Sequence, residues 1–289
     1  MPEPLLSNTT KQQLLNFSEN PVHGIILTGS PGIGKTKAAK WLAGQILNLS
    51  SEKLENYPYF KQIVPEDSAI KIDAIRELNE FLNLKTLGKN KIRRVVTIID
   101  ANLLLTKSQN SLLKILEEPP SDTVLILTSP TTASILPTVI SRLRIVPLIR
   151  PSEHELASFF INFDKNSQAY KQALTLSSGL PELMGAILTE TDNHSLVKAI
   201  KTAKLFLTSD RYSRLKLANT FNGDRDETMN VLDAIIRIAK SSLTQAVQKN
   251  NLPLISQWEN ILSKSSKAHA EVSKNANIKL VLTNFIFQL

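Results

Sequence analysis

The sequence predicts an α/β nucleotide-binding domain built on a parallel sheet, with an all-helical remainder, and three observations carry that prediction. An apolar run, Gly24-Ile25-Ile26-Leu27-Thr28, passes into Gly29-Ser30-Pro31-Gly32-Ile33-Gly34-Lys35-Thr36 and then into a helical pattern from Lys37 to Leu47. A second run, Val95, Val96, Ile98 and Ile99, is apolar on both faces, as a central parallel strand requires, and ends in Asp100. Beyond Pro151 the strand signals stop and helical spacing takes over.

Strand, glycine-rich turn and helix form the context of a Walker A phosphate loop. Gly29, Gly32 and Gly34 permit backbone angles closed to other residues, so that successive N–H groups turn inward at a helix N-terminus and cradle an anion. Lys35 is placed to reach the β- and γ-phosphates, and the Thr36 hydroxyl to coordinate Mg²⁺. Asp100, at the carboxyl end of its strand, fits the Walker B carboxylate that holds the Mg²⁺ shell. Open α/β sheets bind ligands at that edge. The expected ligand is therefore ATP or ADP with Mg²⁺.

Taken in order, Thr9 to Glu19 reads as a short helix with Leu14, Leu15 and Phe17 inward. Ser50 to Pro65 reads as loop, ending in Pro65-Glu66-Asp67. From Ile70 to Leu84, Ile72, Ile75, Leu78 and Leu82 make one apolar stripe, with Arg76 on the opposite face. Thr106-Lys107-Ser108-Gln109 fits a capping box that starts a helix, and Pro119-Pro120 ends it. Thr123 to Thr128 and Arg144 to Leu148 read as further strands. Ser152-Glu153-His154-Glu155 is a second capping box. Helices follow at Gln168 to Ser178, Pro181 to Leu188, Asp226 to Gln248 and Leu254 to Leu262. The expected division is 1–150 for the α/β core, 151–204 for a small helical unit and 205–289 for a longer helical part.

Composition narrows the function classes. With no cysteine and four scattered histidines, His23, His154, His194 and His269, thiolate-ligated zinc and disulfides are excluded, so no zinc site is expected. No apolar run reaches membrane-spanning length, and Met1-Pro2-Glu3-Pro4 lacks a signal-peptide layout, so a cytoplasmic protein is expected. The formal charge of +8 is diffuse: residues 1–150 hold 18 basic and 13 acidic side chains, which permits contact with a nucleic-acid backbone without establishing it. Lys89-Asn90-Lys91-Ile92-Arg93-Arg94 reads as a solvated basic cluster.

The order of the phosphate loop, the Ile-Asp strand end, Ser111-Leu112-Leu113-Lys114-Ile115-Leu116-Glu117-Glu118-Pro119-Pro120 and Ser141-Arg142 resembles the AAA+ clamp-loader subunits of bacterial DNA polymerase III, in particular their delta-prime branch. Pro21-Val22-His23-Gly24, Ile72 to Leu78 and the Asn-x-Asn-x-x-Leu stretch from Asn275 to Leu280 extend the likeness over nearly the whole chain. The resemblance implies an AAA+ core, a helical lid and a helical collar through which subunits assemble. It implies gamma/tau and delta subunits, the β sliding clamp and primer-template DNA as partners. It gives Arg142 the role of an arginine finger acting on a neighbour's nucleotide, Thr128 and Ser129 the first-sensor region, and Arg76 a contact to the template backbone.

Departures from the family pattern qualify the activity. Where hydrolytic members carry a glutamate after the Walker B aspartate, this chain has Ala101 and then Asn102, and a methyl group can neither take a proton nor orient water. Where they carry a second-sensor arginine after Gly179-Leu180-Pro181, this chain has Glu182, and Leu143 replaces the cysteine after Ser141-Arg142. The pattern fits a subunit that binds nucleotide and donates a finger while hydrolysing poorly; a hydrolysing gamma/tau-like ATPase is the alternative.

Overall fold

The computed structural model describes residues 3–66, 69–189, 194–221 and 224–289. These fall into two compact units, one running to Phe159 and the other from Phe160 to Leu289.

In the first unit the order is α1 (Asn8–Glu19), β1 (Gly24–Thr28), α2 (Lys35–Leu47), α3 (Ser51–Glu55), β2 (Phe60–Ile63), α4 (Ile72–Asn83), β3 (Arg94–Ile98), α5 (Thr106–Glu117), β4 (Thr123–Ser129), α6 (Pro137–Ile140), β5 (Arg144–Pro147) and α7 (Glu153–Phe159), with a 3-10 turn at Ala101–Leu103. Among the described residues five strands form one sheet in the order β2-β3-β4-β1-β5. Every pairing is parallel. Parallel neighbours need long crossovers, and the helices that supply them cover the sheet, which is why its strands are apolar on both faces. Ile75, Leu78 and Leu82 of α4 and Leu112, Ile115 and Leu116 of α5 pack on Val96, Ile98, Leu125 and Leu127. Each such side chain contributes about 1.5–3 kcal/mol of burial.

Several local expectations are corrected. Ser50 to Pro65 contains α3 and the edge strand β2, whose residues are mostly only half-buried and so carry no apolar signature; Asp67 lies outside the described residues. Thr106 is the first residue of α5 rather than its cap, and Leu105 precedes it without a side-chain cap. Gln109 instead donates to the carbonyls of Leu104 and Ser134 and accepts from the Leu136 N–H, tying α5 to the loop before α6. The second capping box is formed: Ser152 Oγ accepts from the Glu155 N–H, and Glu155 accepts from the Ser152 N–H at 2.7 Å. The other Glu155 oxygen accepts from the Asn8 N–H at 2.7 Å, so one carboxylate serves two helix N-termini.

The basic cluster is only partly solvated. Arg94 is 1% exposed and donates to the carbonyls of Leu82 and Leu84 at the end of α4, with its guanidinium over the Phe81 ring. Arg93 pairs with Asp122 at 3.3 Å. Burial pushes the Asp122 carboxyl up, but hydrogen bonds from Thr86 and Thr123 and the charges of Arg94 and Arg93 outweigh it and hold the group below its ordinary value.

The second unit is helical: α8 (Gln168–Ser177), α9 (Pro181–Leu188), α10 (Ser195–Thr208), α11 (Arg211–Thr220), α12 (Arg225–Gln248), α13 (Leu252–Ser273) and α14 (Ile278–Gln288). The position 204/205 falls inside α10, and α7 lies with the first unit although it follows residue 150. Gly179, at φ 74°, supplies the left-handed turn between α8 and α9. Asn275, at φ 66°, stops α13, and Asn277 caps α14 by accepting from the Leu280 N–H at 3.1 Å. Phe206 of α10 stacks on Phe285 of α14 with ring centroids 5.8 Å apart. No described helix is long and apolar enough to cross a membrane, and among the described residues no group of His, Asp or Glu side chains is placed to hold a metal ion.

α12 and α13 carry a titratable link, His269 Nε2 to Asp233 Oδ1 at 3.2 Å. The hydrogen bond to Asp233 raises the His269 pKa against the opposing effect of burial. A raised folded-state pKa means that the pair stabilises fully below the unfolded value, near 6.5, and that its contribution is lost as pH rises through the folded value. Because Asp233 is 41% exposed, solvent screening limits the contribution to less than about 1 kcal/mol. Urea titrations between about pH 6 and pH 8.5 should show this loss on going alkaline, and Asp233→Asn should flatten it.

Candidate functional site

The parallel register decides what meets what at the carboxyl edge of the sheet. Thr28 of β1 lies opposite Ser129 of β4, and Ile98 of β3 opposite Leu127, so the phosphate loop after Thr28, Asp100 after β3 and the end of β4 converge there. The Gly29 N–H donates to the Ser129 carbonyl at 3.2 Å, which anchors the start of the loop to β4. Gly32 and Gly34 take φ of 83° and 99°. These are left-handed conformations that a side chain resists, and Gly34, which has no side chain to offer, is the N-cap of the 13-residue α2. Ser30 and Thr36 are half-buried, Pro31 is exposed and Ile33 is buried.

Lys35 folds inward. It is 8% exposed, and its Nζ donates to the carbonyls of Gly29 at 2.9 Å and Ser30 at 3.3 Å. Its ammonium therefore lies within the loop, the position a phosphate-binding lysine needs. Asp100 adopts the left-handed region at φ 51°, and its N–H donates to Thr128 Oγ1 at 2.9 Å. Ser129 Oγ donates to the Thr131 carbonyl. Thr128 and Ser129 are both fully buried and shape the edge through these local bonds. The chemistry of the set fits a Mg²⁺-nucleotide: a glycine-rich loop with left-handed Gly32 and Gly34, a buried lysine, a hydroxyl at Thr36 and one carboxylate at Asp100.

Ala101 is wholly buried among Ile70, Ile98 and Leu104, so the position after Asp100 belongs to the core. Glu182 sits in the first turn of α9. Arg76 is exposed on α4 and pairs with Asp73 at 2.8 Å.

Arg142 lies at the other end of the sheet. β5 begins with Arg144 opposite Ile25, next to the start of β1, and a Cβ built on Gly24 would come within 3.9 Å of the Arg142 carbonyl. The five residues of β1 separate that point from the phosphate loop by about 13 Å of strand. The Arg142 backbone is pinned: its N–H donates to Val139 O at 3.2 Å and its carbonyl meets His23 Nε2 at 2.8 Å. The guanidinium faces outward, with Nη1 on Thr138 O at 2.9 Å and Nη2 on Glu117 Oε1 at 3.0 Å. Glu117 lies 25 residues before Arg142 at the end of α5, and nothing in the sequence spacing points to their pairing.

The Thr128–Asp100 bond has a measurable consequence. Thr128→Val removes the acceptor for the Asp100 N–H at a fully buried position and should cost about 1–3 kcal/mol in equilibrium denaturation. Thr128→Ser, which keeps the hydroxyl, should recover most of it.

Comparison with known proteins places this geometry. The delta′ subunit of DNA polymerase III from Escherichia coli (strain K12) is 36% identical over 129 residues, covering 43% of this chain and 38% of that protein. The gamma subunit from Buchnera aphidicola is 27% identical over 294 residues, covering 89% of this chain and 80% of that one. The matches to three delta′ subunits span 38%, 53% and 58% of those proteins' lengths. The crystal structure of a DNA polymerase III gamma-subunit-related protein from Thermotoga maritima superposes over 99% of this chain and 98% of its own with a TM-score of 0.55 at 19% identity, a likeness of fold. A family model described as DNA polymerase III, delta subunit, matches residues 7–152, half of the chain and the part that holds the phosphate loop, Asp100 and Arg142: the chain belongs to the DNA polymerase III delta-subunit family.

Proposed function

We propose that this chain is a delta-prime-like, non-hydrolysing subunit of the DNA polymerase III clamp loader, which donates Arg142 to the ATP site of a neighbouring subunit. The observation that carries the reading is the placement of Arg142 on the opposite edge of the sheet from its own phosphate loop, facing outward on a fixed backbone. An arginine so placed serves another subunit's nucleotide and not its own. Its charge would stabilise the charge that develops on the γ-phosphate in transfer.

The chain's own loop is read as a site that binds nucleotide and does not turn it over. Gly29, Gly32, Gly34 and Lys35 would hold the phosphates, and Thr36 and Asp100 would hold Mg²⁺. When bound, the ion would neutralise phosphate charge. Ala101 offers no group to orient an attacking water, and its place in the apolar core explains why a small side chain is accommodated there. ATP or ADP is the proposed ligand. Gamma/tau and delta subunits are the proposed ring neighbours, with the helical unit as collar. The β sliding clamp and the backbone of primer-template DNA, to which Arg76 offers an exposed cation, are the proposed substrates of the assembly. A cytoplasmic location goes with that work.

A second reading, a hydrolysing gamma/tau-like ATPase, draws support from the intact phosphate loop and from the likeness to a gamma subunit along 89% of this chain. The absent carboxylate at Ala101 weighs against it.

In a complex reconstituted with gamma/tau and delta subunits, Arg142→Ala should lower DNA-stimulated ATP hydrolysis by about tenfold or more, since a finger is worth 10³–10⁵ at the site it completes; a wild-type rate would sink the proposal. Lys35→Ala should weaken Mg²⁺-ATP binding by the isolated chain by at least about tenfold in calorimetry, because the charge on the β- and γ-phosphates loses its partner.

A further inference from the structure

The guanidinium that would act on a neighbour's nucleotide is held by a carboxylate of its own subunit. Glu117 is the last residue of α5, and its Oε1 accepts from Arg142 Nη2 at 3.0 Å. The Arg142 backbone is fixed on both sides by Val139 and His23, so only the side chain can swing. Both partners face solvent, with side chains 36% and 51% exposed. Such a pair is weak and readily exchanged.

We propose that Glu117 is a positioning residue that sets how readily Arg142 engages an incoming phosphate: it parks the guanidinium until a γ-phosphate on the neighbouring subunit displaces it. The inference rests on the reading of Arg142 as a finger acting in trans. A carboxylate and a phosphate gripping the same guanidinium would stand only about 6 Å apart, and like charges at that distance repel. The more highly charged phosphate therefore wins the arginine, and Glu117 turns to water. Release needs no backbone movement, and when the neighbour leaves, the exposed carboxylate takes the arginine back. The effect is that the finger is ordered yet uncommitted while the subunits are apart.

The test is the concentration of this chain that half-saturates its stimulation of ATP hydrolysis by gamma/tau, measured apart from the maximal rate. Glu117→Gln and Glu117→Ala should each lower that concentration by about two- to fivefold, the range of an exposed ion pair, with the maximal rate unchanged. The gain should shrink as salt is raised, since the competing attraction is screened. It should vanish in the Arg142→Ala background, which a merely structural effect of Glu117 would not do. An unchanged or raised half-saturating concentration, or a gain that persists without Arg142, would overturn the inference. If Arg142→Ala alone has no effect on stimulation, the finger reading fails as well; if Arg142→Ala is deleterious and the Glu117 variants are neutral, only the role of Glu117 falls.

Discussion

The parallel pairing of β1 with β4 on one side and β5 on the other is the constraint on which the rest of the first unit depends. Because the strands run the same way, every loop that follows a strand collects at one edge and every segment that precedes one collects at the other. The phosphate loop, Asp100 and the end of β4 are therefore neighbours by register alone. Arg142 is kept from them by the same register. A single geometric fact thus separates the edge that carries the phosphate loop from the edge that carries Arg142.

The first of these edges is held by small, inexpensive devices. Left-handed glycines bend the loop, the Ser129 carbonyl anchors its start, and a threonine hydroxyl fixes the backbone of Asp100 in a conformation that a non-glycine residue seldom adopts. Lys35 supplies charge from within. At the other edge the devices are ionic. Arg94 closes the end of α4, Arg93 and Asp122 tie the segment before β3 to the one before β4, and Arg142 lies on Glu117. The apolar body between them, α4 and α5 on β3 and β4, keeps the two sets at a fixed separation.

Much of this was legible in the sequence because its signals are local. The loop needs its glycines and Lys-Thr ending at fixed spacing, central strands announce themselves by unbroken apolar runs, and the helix start at Ser152 uses side chains that cap their own turn. What escaped depends on partners distant in the chain. β2 is an edge strand that shows one flank to solvent, so Phe60 to Ile63 lacks a two-faced apolar pattern. The second half of α13 turns Ser265, Ala268 and Val272 inward, a stripe too small to stand out, and the helix runs to Ser273 rather than stopping at Leu262. Thr106-Lys107-Ser108-Gln109 looked like a capping box, yet Gln109 is claimed by Leu104, Ser134 and Leu136. Arg94 gave no sign of burial, since the carbonyls that receive it belong to Leu82 and Leu84. Arg142 was singled out from its neighbour Ser141, but the carboxylate beside it comes from 25 residues earlier.

On the reading proposed for it, this chain works by what it offers to neighbouring subunits. It carries a phosphate-loop sequence, has Ala101 where a water-activating carboxylate would follow Asp100, and holds the half-exposed Arg142 on a fixed backbone. The measurement that tests this most directly is ATP binding and turnover by the purified chain alone with Mg²⁺. The account predicts saturable binding with no turnover above the uncatalysed rate. Steady hydrolysis by the isolated chain, abolished by Lys35→Ala, would contradict it and would mean that another residue activates the attacking water.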